Sequence, residues 1–341
     1  MGVADASDSR LAALTRWVYE DLVLPGGIAP ASADASFRRY FRLTRDHDTY
    51  IVMDAPPDKE DLGPFLKVAH LLADIGVNVP AILARDVKNG FLLLTDLGSR
   101  QYLETLRVGD PDRLYADALQ ALLTIQTAGV RDGHDLPAYD AALLRREMQL
   151  LPEWFLTRHL GLELGPATLA TLERLFDALT QSVLSQPQCI VHRDFHSRNL
   201  LVTQADNPGI IDFQDAVIGP VTYDLVSLLK DCYIAWPAAR VRGWALGHRH
   251  ALLAAGVETG SDAEFLRGFD LMGLQRHLKV LGIFARLYYR DGKSQYLRDL
   301  PLVLHYVRTA AAAHPEAAEF LRFFDAQVLP RFEAAQRRAL A

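Results

Sequence analysis

Cysteine is scarce in this sequence: the 341 residues hold two, Cys189 and Cys232, with no metal-ligand spacing between them. That excludes a disulfide scaffold or a cysteine-built zinc module and fits a reducing compartment, so a cytoplasmic protein is expected. Long apolar runs are missing as well. No stretch approaches the ~18 uninterrupted apolar residues of a membrane span, and the opening "MGVADASDSRLAALTRWVYEDL" has no basic leader before an apolar run. Neither a membrane partner nor a secretory signal is expected. A basic excess is also lacking, because 36 Lys and Arg stand against 42 Asp and Glu for a formal charge of −6. That balance argues against a general nucleic-acid binder. Solenoid repeats and low-complexity linkers are absent too.

What is present is ordinary globular composition, 50% hydrophobic and 23% charged, in a chain longer than the ~250–300 residues at which single cores stop growing. Two lobes are therefore expected. Leu11, Leu14, Val18 and Leu22 recur at helical spacing, and "PGG" at 25–27 ends that helix. "SFRRYFRLTR" and "TYIVMDA" then read as a hairpin, 58–75 as a helix stopped by Gly76, and "PAILARD" and "GFLLLTDL" as two more strands joined by "KNG". From Ser99 helices dominate, at 99–107, 111–128, 140–159 and 166–185 and from Pro237 onward, with a small strand system embedded at 188–215. The expected fold class is α+β: residues 1–97 a small, mostly antiparallel β lobe with one internal helix, and 98–341 a larger, mainly helical lobe.

The densest polar cluster lies in "IVHRDFHSRNLLV", residues 190–202. There His192-x-Asp194-x4-Asn199 sits between apolar doublets, and Ile210-Ile211-Asp212-Phe213 follows after a turn. A carboxylate can orient a hydroxyl, while an amide oxygen with a second carboxylate makes a pair of hard ligands suited to Mg²⁺. Together they are equipment for phosphoryl transfer. His192 and His196 stand four apart, but no third ligand at helical spacing makes them a zinc pair.

"HRDFHSRN" resembles the catalytic loop of the kinase-like phosphotransferases, and "IIDF" resembles their magnesium-binding segment in the form found in aminoglycoside phosphotransferases and choline kinases. The resemblance implies a protein-kinase-like two-lobe fold, with ATP and Mg²⁺ as cofactors. It makes Asp194 the residue that orients the acceptor hydroxyl and takes its proton, and Asn199 and Asp212 the magnesium ligands. His192 and Asp224 would support the loop. The phosphate-covering position reads "ASADASFRRYFRL" and lacks glycine, which leaves Ser36 and Phe37 on a small-residue turn; an ordinary hairpin turn is the alternative. The strand "YIVMDAP" lacks the family's lysine, so Arg38, Arg39 or Arg42 on the neighbouring strand is left to supply the cation. Adenine would meet the backbone at Thr95, Asp96 and Leu97.

No activation segment ending in A-P-E follows Asp212, so a peptide acceptor is not expected. "DASFRRYFR", "MDAPP", "VHRDFHSRNLL" and "IDFQDAVIGPVTYDLVSLLKDCYIAWP" together are similar to the bacterial anomeric sugar kinases of cell-wall recycling. This second resemblance implies ATP-dependent phosphorylation of N-acetylmuramate and N-acetylglucosamine at the C1 hydroxyl. It also implies a product passed to a sugar-1-phosphate uridylyltransferase, a monomeric enzyme, and sugar contacts from His196, Arg198, Gln214 and Asp215. The stretches "QRHLKV" (275–280) and "RLYYRDG" (286–292) are expected on a polar surface helix, or else lining the open side of the cleft. A kinase for an aminoglycoside or an amino alcohol, and a catalytically silent nucleotide-binding regulator suggested by the missing lysine, are the alternatives.

Overall fold

The structure is a computed structural model that describes residues 8–33, 37–128 and 135–340. The chain forms two compact units, one of Met1–Thr105 with Asn199–Asp215 and one of Leu106–Arg198 with Ala216–Ala341. The expected division at residue 97 thus differs from the observed one in a specific way. The segment that carries Asn199 and Asp212 groups with the sheet-bearing unit because its short strands find their backbone partners there. Val202 N–H donates to the Arg100 carbonyl at 2.8 Å, Ile210 N–H to the Asn78 carbonyl at 2.8 Å, and the Phe213 ring lies 5.0 Å from that of Phe65.

The first unit is built on a five-stranded antiparallel sheet. Its strands are β1 (Gly27–Ala33), β2 (Arg39–Arg45), β3 (Asp48–Asp54), β4 (Ile82–Asp86) and β5 (Phe91–Thr95), in the order β1-β2-β3-β5-β4. β1 is an element the sequence pattern hides, since it contains a proline and few large apolar residues. It is an edge strand with a register shift between Pro30 and Ser32, a place where a residue without an N–H is tolerated. The expected hairpin is β2 with β3, Arg45 opposite Asp48. Gly90 turns the chain into β5 at φ +78°, and a Cβ there would fall 1.9 Å from the Ala55 carbonyl oxygen, so no other residue fits.

Alternation along β2 sorts the side chains onto two faces. Phe41 and Leu43 pack with Val52, Phe91 and Leu93 against Leu14, Trp17 and Val18 of the N-terminal helix α1 (Ser9–Arg16) and its continuation. Helix α2 (Leu62–Asp74) is the expected internal helix. The Asp61 carboxylate caps it by accepting from Gly63 N–H at 2.8 Å, and Leu62, Phe65, Val68, Ala69 and Leu72 are buried.

The second unit is helical and organised by the 30-residue helix Asp262–Asp291, which starts at a Ser261/Glu264 capping box and stops at Gly292 in the left-handed region. Gly282 lets it approach another segment closely, since a Cβ there would lie 2.4 Å from the Leu150 carbonyl. A two-stranded pair, Gln188–Val191 with Val217–Pro220, is embedded in this unit. Among the described residues no helix is long and apolar enough to cross a membrane.

Candidate active site

In the helical unit the strand Gln188–Val191 delivers the chain into the loop that carries Asp194. His192 is buried, and Arg193 adopts φ +76°, a conformation that costs a non-glycine residue on the order of 1–3 kcal/mol. The bend is held by Asp224, whose two carboxylate oxygens accept from His192 N–H at 2.6 Å and Arg193 N–H at 3.0 Å. The Asp194 N–H donates to His192 Nδ1 at 3.2 Å, and His196 N–H donates to the Asp194 carbonyl at 3.0 Å. Asp231 anchors the far side by accepting from Ser197 N–H at 3.0 Å. Asp224 and His192 thus both contact the backbone of this loop. Burial raises the Asp224 carboxyl to about 7, against the two amide bonds and the Arg276 charge that favour its ionised form.

Residues far away in sequence surround Asp194. Arg276 sits 3.9 Å from its carboxylate and also donates to the Arg193 carbonyl at 3.0 Å and the Tyr223 hydroxyl at 3.3 Å. Lys279, one turn on, donates to Tyr223 at 3.0 Å and to Glu147 at 2.7 Å; Glu147 also receives Arg193 at 2.5 Å. Burial alone would raise the Asp194 carboxyl, but Arg276, then Lys279, His196 and Arg193, outweigh it and hold the pKa below the ordinary value. Glu147 behaves the same way, lowered to about 2 by Lys279 and Arg193 in spite of burial. The "QRHLKV" stretch is thus neither a surface helix nor a lining of the open side: Gln275, Arg276, His277 and Lys279 are all buried. Its only trace in the sequence is that Arg276 and Lys279 share a helix face.

The remaining loop residues differ in character. The His196 ring stands edge-on to Tyr233 at 5.5 Å, and burial lowers its pKa. Arg198 stacks over Tyr233 with its guanidinium 3.7 Å from the ring centroid.

The sheet unit holds the magnesium-ligand candidates. Asn199 Nδ2 donates to one Asp212 carboxylate oxygen at 3.1 Å, and Gln214 Nε2 donates to the other at 2.8 Å. Asp212 itself sits at φ +64°. Gln214, expected on the sugar, braces Asp212 through its Nε2 while its Oε1 has no hydrogen-bond partner among the described residues, and Asp215 is exposed at the end of the segment. The donor set fits Mg²⁺ in kind: an amide oxygen and a carboxylate are hard ligands, and two protein ligands leave the remaining positions of an octahedron to water and phosphate oxygens. Among the described residues no three His, Cys, Asp or Glu side chains gather to hold a metal.

The three arginines offered for the missing lysine separate by face. Arg39 lies on the α1 face, where it pairs with Asp54 at 2.5 Å and with Asp8, and Arg10 pairs with the same Asp54. Arg38 pairs with Glu60, just ahead of α2, at 3.2 Å. Arg42 donates to Asp96 at 2.6 and 3.1 Å; burial would raise the Asp96 carboxyl, but Arg42 and the Gly98 N–H bring it below its usual value. Thr95 N–H is taken by the Ala81 carbonyl at 3.0 Å, and the Leu97 side chain packs near Gly209. Phe37 is exposed, with its N–H on Glu60 at 3.2 Å. Ser36 lies outside the described residues.

Three comparisons bear on this arrangement. The model of the phosphotransferase enzyme family matches residues 27–266. The chain is 52% identical, over 87% of each sequence, to the N-acetylmuramate/N-acetylglucosamine kinase of Pseudomonas aeruginosa. With the kinase of that name from Pseudomonas putida it shares 47% identity over 92% of this chain and 95% of that one. Among solved structures, aminoglycoside phosphotransferase APH(2'')-Ib in its ADP-bound form shares the fold at a TM-score of 0.59, with 16% identity over 86% of this chain and 97% of that one.

Proposed function

The chain belongs to the phosphotransferase enzyme family, and on that premise we propose that it is an ATP-dependent kinase that phosphorylates the anomeric C1 hydroxyl of N-acetylmuramate and N-acetylglucosamine. Its similarity to two amino-sugar kinases over most of their length carries this reading.

Asp194 is the residue for the acceptor. Kept ionised by Arg276 and Lys279, its carboxylate can only accept hydrogen bonds, so a sugar hydroxyl entering there donates to it and is oriented. An anomeric hydroxyl is more acidic than an ordinary alcohol, so its proton passes to Asp194 late, and positioning supplies most of the rate. Asn199 and Asp212 would hold Mg²⁺, with Gln214 fixing the Asp212 carboxylate. The ion, when bound, neutralises charge on the phosphates of ATP. Arg38, tethered to Glu60 ahead of α2, takes the part of the absent strand lysine, and the backbone at Asp96 and Leu97 meets adenine. The product is a sugar 1-phosphate, a substrate for a uridylyltransferase, and the enzyme works as a cytoplasmic monomer.

The test is magnesium-dependent ADP release against a panel of free amino sugars, their 1-O-methyl glycosides, aminoglycosides and amino alcohols. A C1 kinase turns over the free sugars and fails on the glycosides. Asp194→Asn should lower kcat by about 10²–10⁴-fold, the usual worth of a positioned base. Turnover of a glycoside, or of aminoglycosides alone, would replace the acceptor; no turnover with any compound would leave a silent nucleotide binder.

A further inference from the structure

Arg198 differs from the other arginines around the Asp194 loop in how it is held. Arg193 and Arg276 spend their donors on Glu147, the Arg193 carbonyl and Tyr223. Arg198 instead lays the flat of its guanidinium on Tyr233, 3.7 Å from the centroid, with Tyr296 at 5.9 Å. The nearest carboxylate, Asp299, stands 4.0 Å away, beyond hydrogen-bond distance, and burial raises its pKa although Arg198 opposes that. The side chain keeps 35% of its surface exposed. A guanidinium fixed by its face, whose edge donors make no hydrogen bond among the described residues and only the long contact to Asp299, is prearranged for a bidentate carboxylate.

Its surroundings suit a sugar. Tyr296 lies beside the guanidinium and Phe284 stacks on Tyr233, and among the described residues His196 adds a buried Nδ1 that has no hydrogen-bond partner. His196 lies within electrostatic reach of both Asp194 and Arg198, so the cluster adjoins the carboxylate that receives the acceptor hydroxyl. Aromatic walls with a few convergent polar groups are the usual lining of a small-molecule site.

The two sugars of the proposed function differ by one group: N-acetylmuramate carries a lactyl ether that ends in a carboxylate, and N-acetylglucosamine has a hydroxyl there. Resting on that reading of the function, we propose that Arg198, stacked on Tyr233, binds the lactyl carboxylate and sets the preference between the two substrates.

The experiment measures kcat/KM for both sugars, and for the methyl ester of N-acetylmuramate, with the wild-type protein, Arg198→Gln and Arg198→Lys. A charge-assisted pair lost from a site of this kind is worth about 10- to 100-fold. The ratio of kcat/KM for N-acetylmuramate over N-acetylglucosamine should fall by that factor in Arg198→Gln, chiefly through KM, and by less in Arg198→Lys. The wild-type protein should disfavour the methyl ester to a similar degree, and Arg198→Gln should treat acid and ester alike. A ratio does not depend on how much of a variant is folded. If Arg198→Gln is wholly inactive, equal wild-type rates for acid and ester overturn the proposal by themselves. An unchanged ratio overturns it as well. Failure of the wild-type protein on both sugars sinks the functional reading instead, which is a distinguishable result.

Discussion

The charge networks around Asp54 in the sheet unit and around Glu147 in the helical unit differ in how far water reaches their cations. In the sheet unit three arginines reach their carboxylates from partly exposed positions: Arg39 keeps 37% of its side chain exposed, Arg10 33% and Arg42 29%, although the Asp54 and Asp96 side chains themselves are buried. In the helical unit Arg276, Lys279 and Glu147 are each exposed by less than a tenth, and they form one web with Arg193, Tyr223 and Asp194. A pair with both partners at the surface, such as Arg39 with Asp8, gains little because water screens each of them. A buried web is costly to assemble and far more costly to break, since removing one member strands its partners without solvent. Under the proposed function, the difference separates charge that acts on Asp194 from charge that joins elements. The web holds the loop bend and keeps Asp194 ionised, whereas the α1-face pairs around Asp54 fasten a helix to a sheet.

Breaking the web at Glu147 should therefore have the largest effect. Glu147→Ala leaves Lys279 and Arg193 buried without their carboxylate, and the expected destabilisation is about 3–5 kcal/mol, read from denaturant midpoints at unchanged slope. The pH dependence offers a second reading of the same contact. Glu147 is held at about 2 in the folded protein against an ordinary value of 4.5, so its contribution is present above pH 4.5 and disappears as pH falls toward 2. Linkage puts that contribution at about 3 kcal/mol. Glu147→Gln should remove this acid limb; a limb that persists unchanged would mean the web does not depend on that charge.

Arg276 sharpens the comparison on the catalytic side. It is the foremost charge lowering the Asp194 carboxyl, so Arg276→Met should move the acid limb of the kcat/KM profile upward by about one pH unit, with Arg276→Lys restoring most of it. A loss of rate with the limb in place would reduce Arg276 to packing.

How much of this was legible follows from chain distance. Asp194, Asn199 and Asp212 stand within one short segment, and Asp224, the loop's brace, is near enough to be flagged. The β2–β3 hairpin and α2 announce themselves by period and caps. Glu147 and Lys279, 132 residues apart, meet only through tertiary packing, and no local pattern tells a buried Lys279 from a solvated one. β1 escaped because an edge strand tolerates proline and needs little hydrophobicity. The Gln214–Asp212 hydrogen bond escaped because Gln214 was expected among the sugar contacts and spacing alone does not show which way its amide turns.

The smallest effect belongs at the rim of the sheet unit. Asp8 does two things there: it caps α1 by accepting from Leu11 N–H at 3.1 Å, and it pairs with Arg39 while 42% exposed. Asp8→Asn separates the two roles, since asparagine caps a helix about as well as aspartate but carries no charge. Its expected cost is at most about 1 kcal/mol and should shrink further in salt, whereas Asp8→Ala adds the loss of the cap, typically about 1 kcal/mol more. Should Asp8→Asn cost as much as Glu147→Ala, the rim pair would be working like a buried one, and burial would lose its place as the quantity that separates the Asp8–Arg39 pair from the Glu147 web.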